Sequence, residues 1–213
     1  MKNQQRLTLP FLACLLLAVS IFTTSCAALL GEFGNQGGNP PMPVDPGIGN
    51  GMPVSFTILQ LNDVYEIAPL EKGKVGGLAR VATLRNQLHT ETYNVLTVMA
   101  GDFVSPSLIG TLKYEDKRIR GRQMVETMNA LGVGLVTFGN HEFDIKESEL
   151  QERMNESYFD WLGTNVLHQA GGKVEPFHKL SYDYKYFAPE TYIWEVYDEL
   201  GGSVKVGFYS ATI

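Results

Sequence analysis

In VGLVTFGNHEFD, residues 133–144, an apolar run passes directly into a cluster of polar side chains. Continuous apolar runs of this length are typical of strands that are buried on both faces of a parallel sheet. The polar part that follows contains an amide, Asn140, an imidazole, His141, and two carboxylates, Glu142 and Asp144. Four groups of this kind at the end of one strand indicate a functional site.

Two earlier apolar runs end in the same way. Residues 56–61, FTILQL, lead into Asn62 and Asp63, and residues 95–100, VLTVMA, lead into Gly101 and Asp102. Two segments with helical spacing of apolar residues separate the runs. The first covers 78–88, and the second covers 124–131 and stops at Gly132.

The order strand, helix, strand, helix, strand predicts an α/β fold with parallel strands. In open sheets of this kind the ligand crevice lies beyond the carboxyl ends of the strands. We therefore expect Asp63, Asp102 and the residues from Asn140 to Asp144 to meet at one edge of the sheet.

Carboxylate and amide oxygens together with imidazole are suitable ligands for divalent transition metals. Two such ions held a few Å apart can clamp a phosphoryl group and lower the pKa of a bound water. A nearby histidine that is not a ligand can donate a proton to the leaving oxygen, and a carboxylate can orient it. His141 and Asp144 have the spacing for such a pair.

Several of these motifs carry a family resemblance. From Phe56 to Ile213 the chain resembles the calcineurin-like metallophosphoesterases, and within them the 5'-nucleotidase and 2',3'-cyclic nucleotide phosphodiesterase group. The matching segments are ILQLND (58–63), GGLAR (76–80), GD (101–102), GRQM through LG (121–132) and GNHEFD (139–144).

The resemblance implies an α/β/β/α sandwich of the metallophosphoesterase type, present here as its N-terminal portion. It implies that Asp63 binds a first metal ion, Asp102 bridges two ions and Asn140 binds the second. His141 and Asp144 would form the catalytic pair. The implied cofactors are two divalent ions of the Zn, Mn, Fe or Co class, and the implied substrate is a small phosphoester, above all a nucleotide.

The chain departs from the family pattern at two places. Tyr65 stands where the family has a histidine ligand, so we expect an altered first metal site. The later histidine and His-x-His ligands are not recognisable, and His89, His168 and His178 lack ligand spacing. We expect the sequence to be a fragment of a longer hydrolase; the alternative is a lipid-anchored protein that no longer catalyses and serves as a binding or structural module.

The amino terminus predicts export. Residues 1–26 combine Lys2 and Arg6 with an apolar stretch and small residues before Cys26, which resembles a bacterial lipobox. Acylation of Cys26 would anchor the protein to the membrane, and this is the outcome we expect. The alternatives are plain cleavage, which would leave the protein periplasmic, and an uncleaved segment that itself serves as the anchor. Residues 27–54 are rich in Gly and Pro and predict a flexible tether, followed by the partial domain at 55–213.

Charge and composition exclude one class of partner. The 213 residues carry a net charge of -6 and no cluster of Lys or Arg, so no basic surface for a nucleic-acid polymer is evident. No segment indicates a protein partner. The aromatic stretch at 182–187 is interpreted as an edge strand rather than a base-stacking platform, and Glu142 as a structural partner of its neighbours.

Overall fold

A computed structural model describes residues 53–213 of the chain. The predicted export segment 1–26 with Cys26, and all but the last two residues of the predicted tether 27–54, lie outside the described residues. Within the described part, the helices are α1 (Leu78–Glu91), α2 (Leu108–Thr111), α3 (Arg122–Leu131) and α4 (Glu147–Glu156). The strands are β1 (Thr57–Leu61), β2 (Val95–Met99), β3 (Lys113–Tyr114), β4 (Lys117–Arg118), β5 (Leu135–Thr137), β6 (Asp160–Leu162), β7 (Leu167–Ala170), β8 (Lys173–Pro176), β9 (His178–Ser181), β10 (Tyr184–Phe187), β11 (Tyr192–Tyr197) and β12 (Ser203–Phe208). Two 3₁₀ turns cover Glu71–Gly73 and Asn140–Asp144.

The central sheet confirms the α/β prediction. It contains four parallel strands in the order β1-β2-β5-β6. Strand β5 is shorter than the apolar run that predicted it, because it pairs with β2 only at Leu135 and Val136 and with β6 only over Leu135–Thr137. The parallel direction places the carboxyl ends of β1, β2 and β5 at the same edge, where the polar residues follow.

Both faces of this sheet are covered at β2 and β5, which explains their continuous apolar runs, whereas residues of the edge strand β1 alternate between half-buried and exposed. On one face, Met99, Val136 and Trp161 join a core that includes the buried side of α3. On the other face, Leu96, Val98, Leu135 and Leu162 pack against Tyr192, Trp194 and Phe208 of the antiparallel pair β11–β12. The described residues therefore form three layers: helices, parallel sheet and β-hairpin.

Glycine residues define the limits of α3. It follows Gly121 and ends at Gly132, and both glycines adopt left-handed φ values, 82° and 78°. A left-handed glycine after the last turn is a common helix stop, and this stop was predicted from the sequence. The helix buries Met124, Val125, Met128 and Leu131. Each such side chain contributes about 1.5–3 kcal/mol when fully buried.

The second half of the described chain is built from hairpins. Strands β7–β8, β9–β10 and β11–β12 form separate antiparallel pairs. The aromatic stretch at 182–187 supplies β10, which pairs only with β9, so the predicted edge strand is present over Tyr184–Phe187. No helix among residues 53–213 is long and apolar enough to cross a membrane.

Candidate active site

Backbone hydrogen bonds connect the three loops that follow β1, β2 and β5. The Ala100 N–H donates to Leu61 O (2.7 Å), and the Asp63 N–H donates to Gly101 O (3.3 Å). The loop after β5 is attached through a side chain, because the His141 N–H donates to Asp102 Oδ1 (2.8 Å). The structure therefore brings Asp63, Asp102 and His141 to one edge of the sheet, as the strand order predicted.

Asp63 and Asp102 both have strained backbones. Their φ values are 53° and 60°, in the left-handed region that non-glycine residues seldom occupy. Such conformations concentrate at functional sites, where the surrounding structure holds them in place. The packing here is close: a Cβ atom on Gly139 would lie 2.2 Å from Asp102 Oδ1.

His141 and Asp144 form the predicted pair. His141 Nδ1 lies 2.7 Å from Asp144 Oδ2, and 36 % of the His141 side chain is exposed to solvent. The hydrogen bond that the His141 ring donates to Asp144 raises the pKa of His141, while partial burial opposes the rise and nearby carboxylates support it. The ring of Tyr65 meets the imidazole edge-on, with ring centroids 6.0 Å apart. His141 is thus oriented through one ring nitrogen and remains reachable from solvent.

Two neutral donors hold the carboxylate of Asp63. The Asn62 amide donates to Oδ2 (2.7 Å), and the Tyr65 hydroxyl donates to Oδ1 (3.0 Å). These two bonds, in that order, lower the pKa of Asp63; slight burial opposes them, and His141 and Asp102 add smaller effects. Neither donor was identified as such from the sequence, although both lie within two residues of Asp63.

Tyr65 is a neutral donor in this arrangement. Burial raises the pKa of its phenol to about 12, with the bond to Asp63 and the nearby carboxylates as further causes. A tyrosine binds metal well only as phenolate, and an ordinary tyrosine pKa is near 10. In the structure the Tyr65 hydroxyl donates a hydrogen bond to Asp63, whereas the resemblance implies a histidine ligand at this position.

Glu142 is fully buried among backbone N–H groups. Its Oε1 accepts from Phe103 N (2.9 Å) and Val104 N (3.2 Å), and its Oε2 accepts from Asp102 N (2.8 Å) and Gly139 N (2.6 Å). Burial raises the pKa of Glu142, and the four N–H bonds oppose that rise. The structural role predicted for Glu142 is thus to accept backbone N–H groups from two loops, and the spacing of residues in the sequence could not reveal these partners.

Asn140 directly precedes His141 in the 3₁₀ turn after β5. It is exposed, and it lines an open cavity of about 380 Å³ together with Asn165, His168 and Thr212. His168 contacts the ring of Phe177, with centroids 5.0 Å apart. Of the other histidines, His89 lies in the last turn of α1 and His178 contacts Phe187.

Comparison with known proteins identifies the family. The family model for calcineurin-like phosphoesterases matches residues 56–202, more than half of the chain. The chain belongs to this family. The calcineurin-like phosphoesterases are metal-dependent, and the residues at the three strand ends lie inside the matched region.

The relatives by sequence include 5'-nucleotidases. A probable 5'-nucleotidase of Treponema pallidum (strain Nichols) is 32% identical over 137 residues, which cover 59% of this chain and 22% of that protein. The 5'-nucleotidase of Bos taurus is 32% identical over 125 residues, which cover 54% of this chain and 21% of that protein. This calcineurin-like phosphoesterase thus spans about a fifth of the length of these curated relatives.

Solved structures agree on the fold. The calcineurin-like phosphoesterase YfkN from Bacillus subtilis matches 73% of this chain and 47% of its own, with 25% identity and a TM-score of 0.52. The 5'-nucleotidase precursor from Thermus thermophilus matches 73% of this chain and 28% of its own, with 22% identity and a TM-score of 0.54. The predicted fold class is confirmed.

The chemical types of the donor atoms at the site suit a divalent metal ion. Asp63 and Asp102 supply carboxylate oxygens on adjacent loops, and Asn140 follows the third strand with an amide oxygen. Oxygen donors of this type suit the divalent ions that the family uses. However, no cluster of three or more His, Cys, Asp or Glu side chains that could hold a metal ion occurs within residues 53–213. The donor types therefore fit a divalent ion, whereas the described residues do not form a closed set of metal-binding side chains.

Proposed function

We propose that this chain carries a phosphoester-hydrolysing centre that acts on nucleotides outside the cytoplasm. The observation that supports this most strongly is the geometry of His141. Its ring is held by Asp144 (2.7 Å) while its backbone N–H donates to the carboxylate of Asp102 (2.8 Å). A proton donor therefore lies next to a residue with the chemistry of a metal ligand, at the sheet edge where ligands bind.

His141 is assigned as the general acid. Protonated at the ring nitrogen that does not face Asp144, it would donate that proton to the leaving ester oxygen as the P–O bond breaks. The oxygen of a water molecule forms the new bond to phosphorus, and the proton that this water loses passes to solvent. Asp144 keeps the imidazole in orientation and, by raising its pKa, favours its protonated form.

Asp63, Asp102 and Asn140 are assigned as the residues that would hold the metal ions. When bound, two ions of the Zn, Mn, Fe or Co class polarise the phosphoryl oxygens and make the attacking water more acidic. The left-handed backbones of Asp63 and Asp102 support this assignment, since strain of this kind is retained where a side chain must point in one direction.

The nucleotide substrate is proposed from the relatives. Two relatives at 32% identity are named as 5'-nucleotidases, one of them as probable. Both match only over part of their length, about a fifth, so the nucleotide is proposed from the matched part alone. The location is proposed from residues 1–26, in which Cys26 would carry a lipid anchor, and from the tether at 27–54, which would hold the domain away from the membrane.

A second candidate is a non-catalytic binding or structural module. It is favoured by Tyr65, whose hydroxyl bonds Asp63 Oδ1, and by the lack of a closed set of metal-binding side chains within residues 53–213. The two candidates differ in whether the native protein retains a metal and turns over a phosphoester.

The test uses the native protein purified from its own cells. Its bound metals are measured, and phosphate release from 5'-AMP is followed before and after EDTA treatment and after re-addition of Mn²⁺. Metal-dependent release that falls at least about tenfold in Asp102→Asn, but not in His89→Asn at the end of α1, supports the hydrolase. A folded protein that contains no metal and releases no phosphate supports the module.

A further inference from the structure

We propose that Glu142 is a positioning residue, whose carboxylate joins the loop after β2 to the loop after β5 and fixes Asp102 relative to His141. This inference rests on the proposed hydrolase function. Glu142 has no exposed surface, and its two oxygens accept four backbone N–H groups. Three of these donors belong to residues 102–104 and the fourth to Gly139, so one side chain connects both loops.

The arrangement of donors is that of a backbone anion site. The N–H groups of Asp102, Phe103 and Val104 are consecutive and point to the same carboxylate. Such concave sets of N–H groups bind anions in many proteins. Beside a phosphoester centre they would suggest a phosphate site, but Glu142 already fills this one. The chain therefore uses the site internally, to hold its own loop.

The consequence for the reaction is geometric. Asp102 N–H donates to Glu142 while Asp102 Oδ1 accepts from His141 N–H, so the backbone and the side chain of Asp102 are both held by the 139–144 segment. The φ of 60° at Asp102 needs such support. Without Glu142, we expect the loop at 102–104 to relax and Asp102 to lose its place beside His141.

The number and type of these four hydrogen bonds require a glutamate at position 142. The substitution Glu142→Gln keeps a similar shape, but the NH₂ group of a glutamine would face N–H donors in place of an acceptor oxygen. The substitution Glu142→Asp keeps the charge but shortens the side chain by one methylene, so the carboxylate could not reach both loops. No ion pair within residues 53–213 involves Glu142, so the backbone donors compensate its charge.

The test compares Glu142→Gln with Leu96→Ala in the full chain. Leu96 lies in the amino-terminal half of β2, in the core between the sheet and the β11–β12 hairpin, and its truncation is a control for general loss of stability. Hydrogen exchange of single amides is measured first. In Glu142→Gln we expect the amides of residues 102–104 and 139 to lose at least about tenfold in protection, while the amides of β5 and α3 keep theirs.

Turnover is the second readout. We expect Glu142→Gln to lower kcat by about 10²-fold with little change in KM, as for a misplacement of about 1 Å at a reacting centre. Leu96→Ala should leave kcat nearly unchanged. If Glu142→Gln does not fold, Glu142→Asp is measured in the same way, with losses expected on both readouts because its carboxylate cannot reach both loops.

Two results would overturn the positioning role: protection that persists at residues 102–104 and 139, or a loss of kcat in Leu96→Ala as large as in Glu142→Gln. An inactive wild-type protein would instead refute the hydrolase function, and the exchange pattern would then decide the role of Glu142 alone.

Discussion

Gly139→Ala tests how closely the loops at the strand ends are packed. Gly139 has a φ of -96°, which alanine adopts freely, so the backbone conformation is no obstacle. The added Cβ would lie 2.2 Å from Asp102 Oδ1 and 2.7 Å from Asp102 N, whereas ordinary contacts begin near 3.4 Å. The loops must therefore separate by about 1 Å to restore ordinary packing distances.

The side chain of Asp102 cannot absorb this movement alone. Its Oδ1 accepts from the His141 N–H, and its own N–H donates to Glu142, so a shift of Asp102 stretches both bonds. Insertion of a methyl group into well-packed surroundings costs about 1–3 kcal/mol. For a chain of this length that corresponds to a fall in Tm of roughly 2–10 °C. A displacement of about 1 Å at the reacting groups would lower kcat by about 10²-fold.

The assay is thermal unfolding by circular dichroism together with phosphate release from 5'-AMP. The matched control is Gly207→Ala in β12, where an added Cβ meets only Ile193 Cδ1 at an ordinary 3.6 Å. The control should keep both Tm and activity. If Gly139→Ala also keeps the wild-type Tm and activity, the two loops are not closely packed at Gly139.

Further predictions concern histidine titration, a buried arginine and the lipid anchor. Burial lowers the pKa of His178, and the hydrogen bond to Asp144 raises the pKa of His141. In an NMR titration, His178 should therefore titrate below 6.5 and His141 above it. Asp144→Asn should lower the pKa of His141. Any stability from the His141–Asp144 pair is present below about pH 6.5 and is lost as the pH rises through the raised pKa of His141. Unfolding of the wild type and of Asp144→Asn, measured across this pH range, should show that difference. Arg153→Met should cost about 3 kcal/mol in urea unfolding, because the nearly buried guanidinium bonds Glu156 and the carbonyls of Ile119 and Arg120. Exposed Arg122→Met should cost far less, and equal costs would contradict this. Cys26→Ser should abolish the incorporation of labelled fatty acid into the native protein, and wild-type protein that takes up no label would rule out a lipid anchor at Cys26.

Local patterns in the sequence predicted the part of the fold that carries the site. The apolar runs before Asp63, Asp102 and Asn140, with helical segments between them, indicated parallel strands whose carboxyl ends meet. The same order predicted that these side chains converge. The spacing of His141 and Asp144 predicted a pair that the structure places 2.7 Å apart.

What the sequence could not supply depends on contacts between distant segments. The bonds from Glu142 to residues 102–104 join segments separated by 38 to 40 positions, and no local pattern encodes them. Tyr65 in place of a histidine predicts an altered first metal site, but its role as a donor to Asp63 depends on the direction of a side chain. Strands β7 to β9 lie in a polar stretch without alternating apolar residues. They are strands because they pair in hairpins, which the local sequence pattern does not predict.

The most direct test of the hydrolase account compares two substrates in wild type and His141→Ala. A proton donor matters most when the leaving oxygen is basic, as in 5'-AMP, and little when it is the weakly basic p-nitrophenolate. With His141 as the general acid, His141→Ala should lose about 10²- to 10⁴-fold in kcat on 5'-AMP and far less on p-nitrophenyl phosphate. Equal losses on both substrates, or no loss on 5'-AMP, would contradict the role of His141 as the proton donor of this centre.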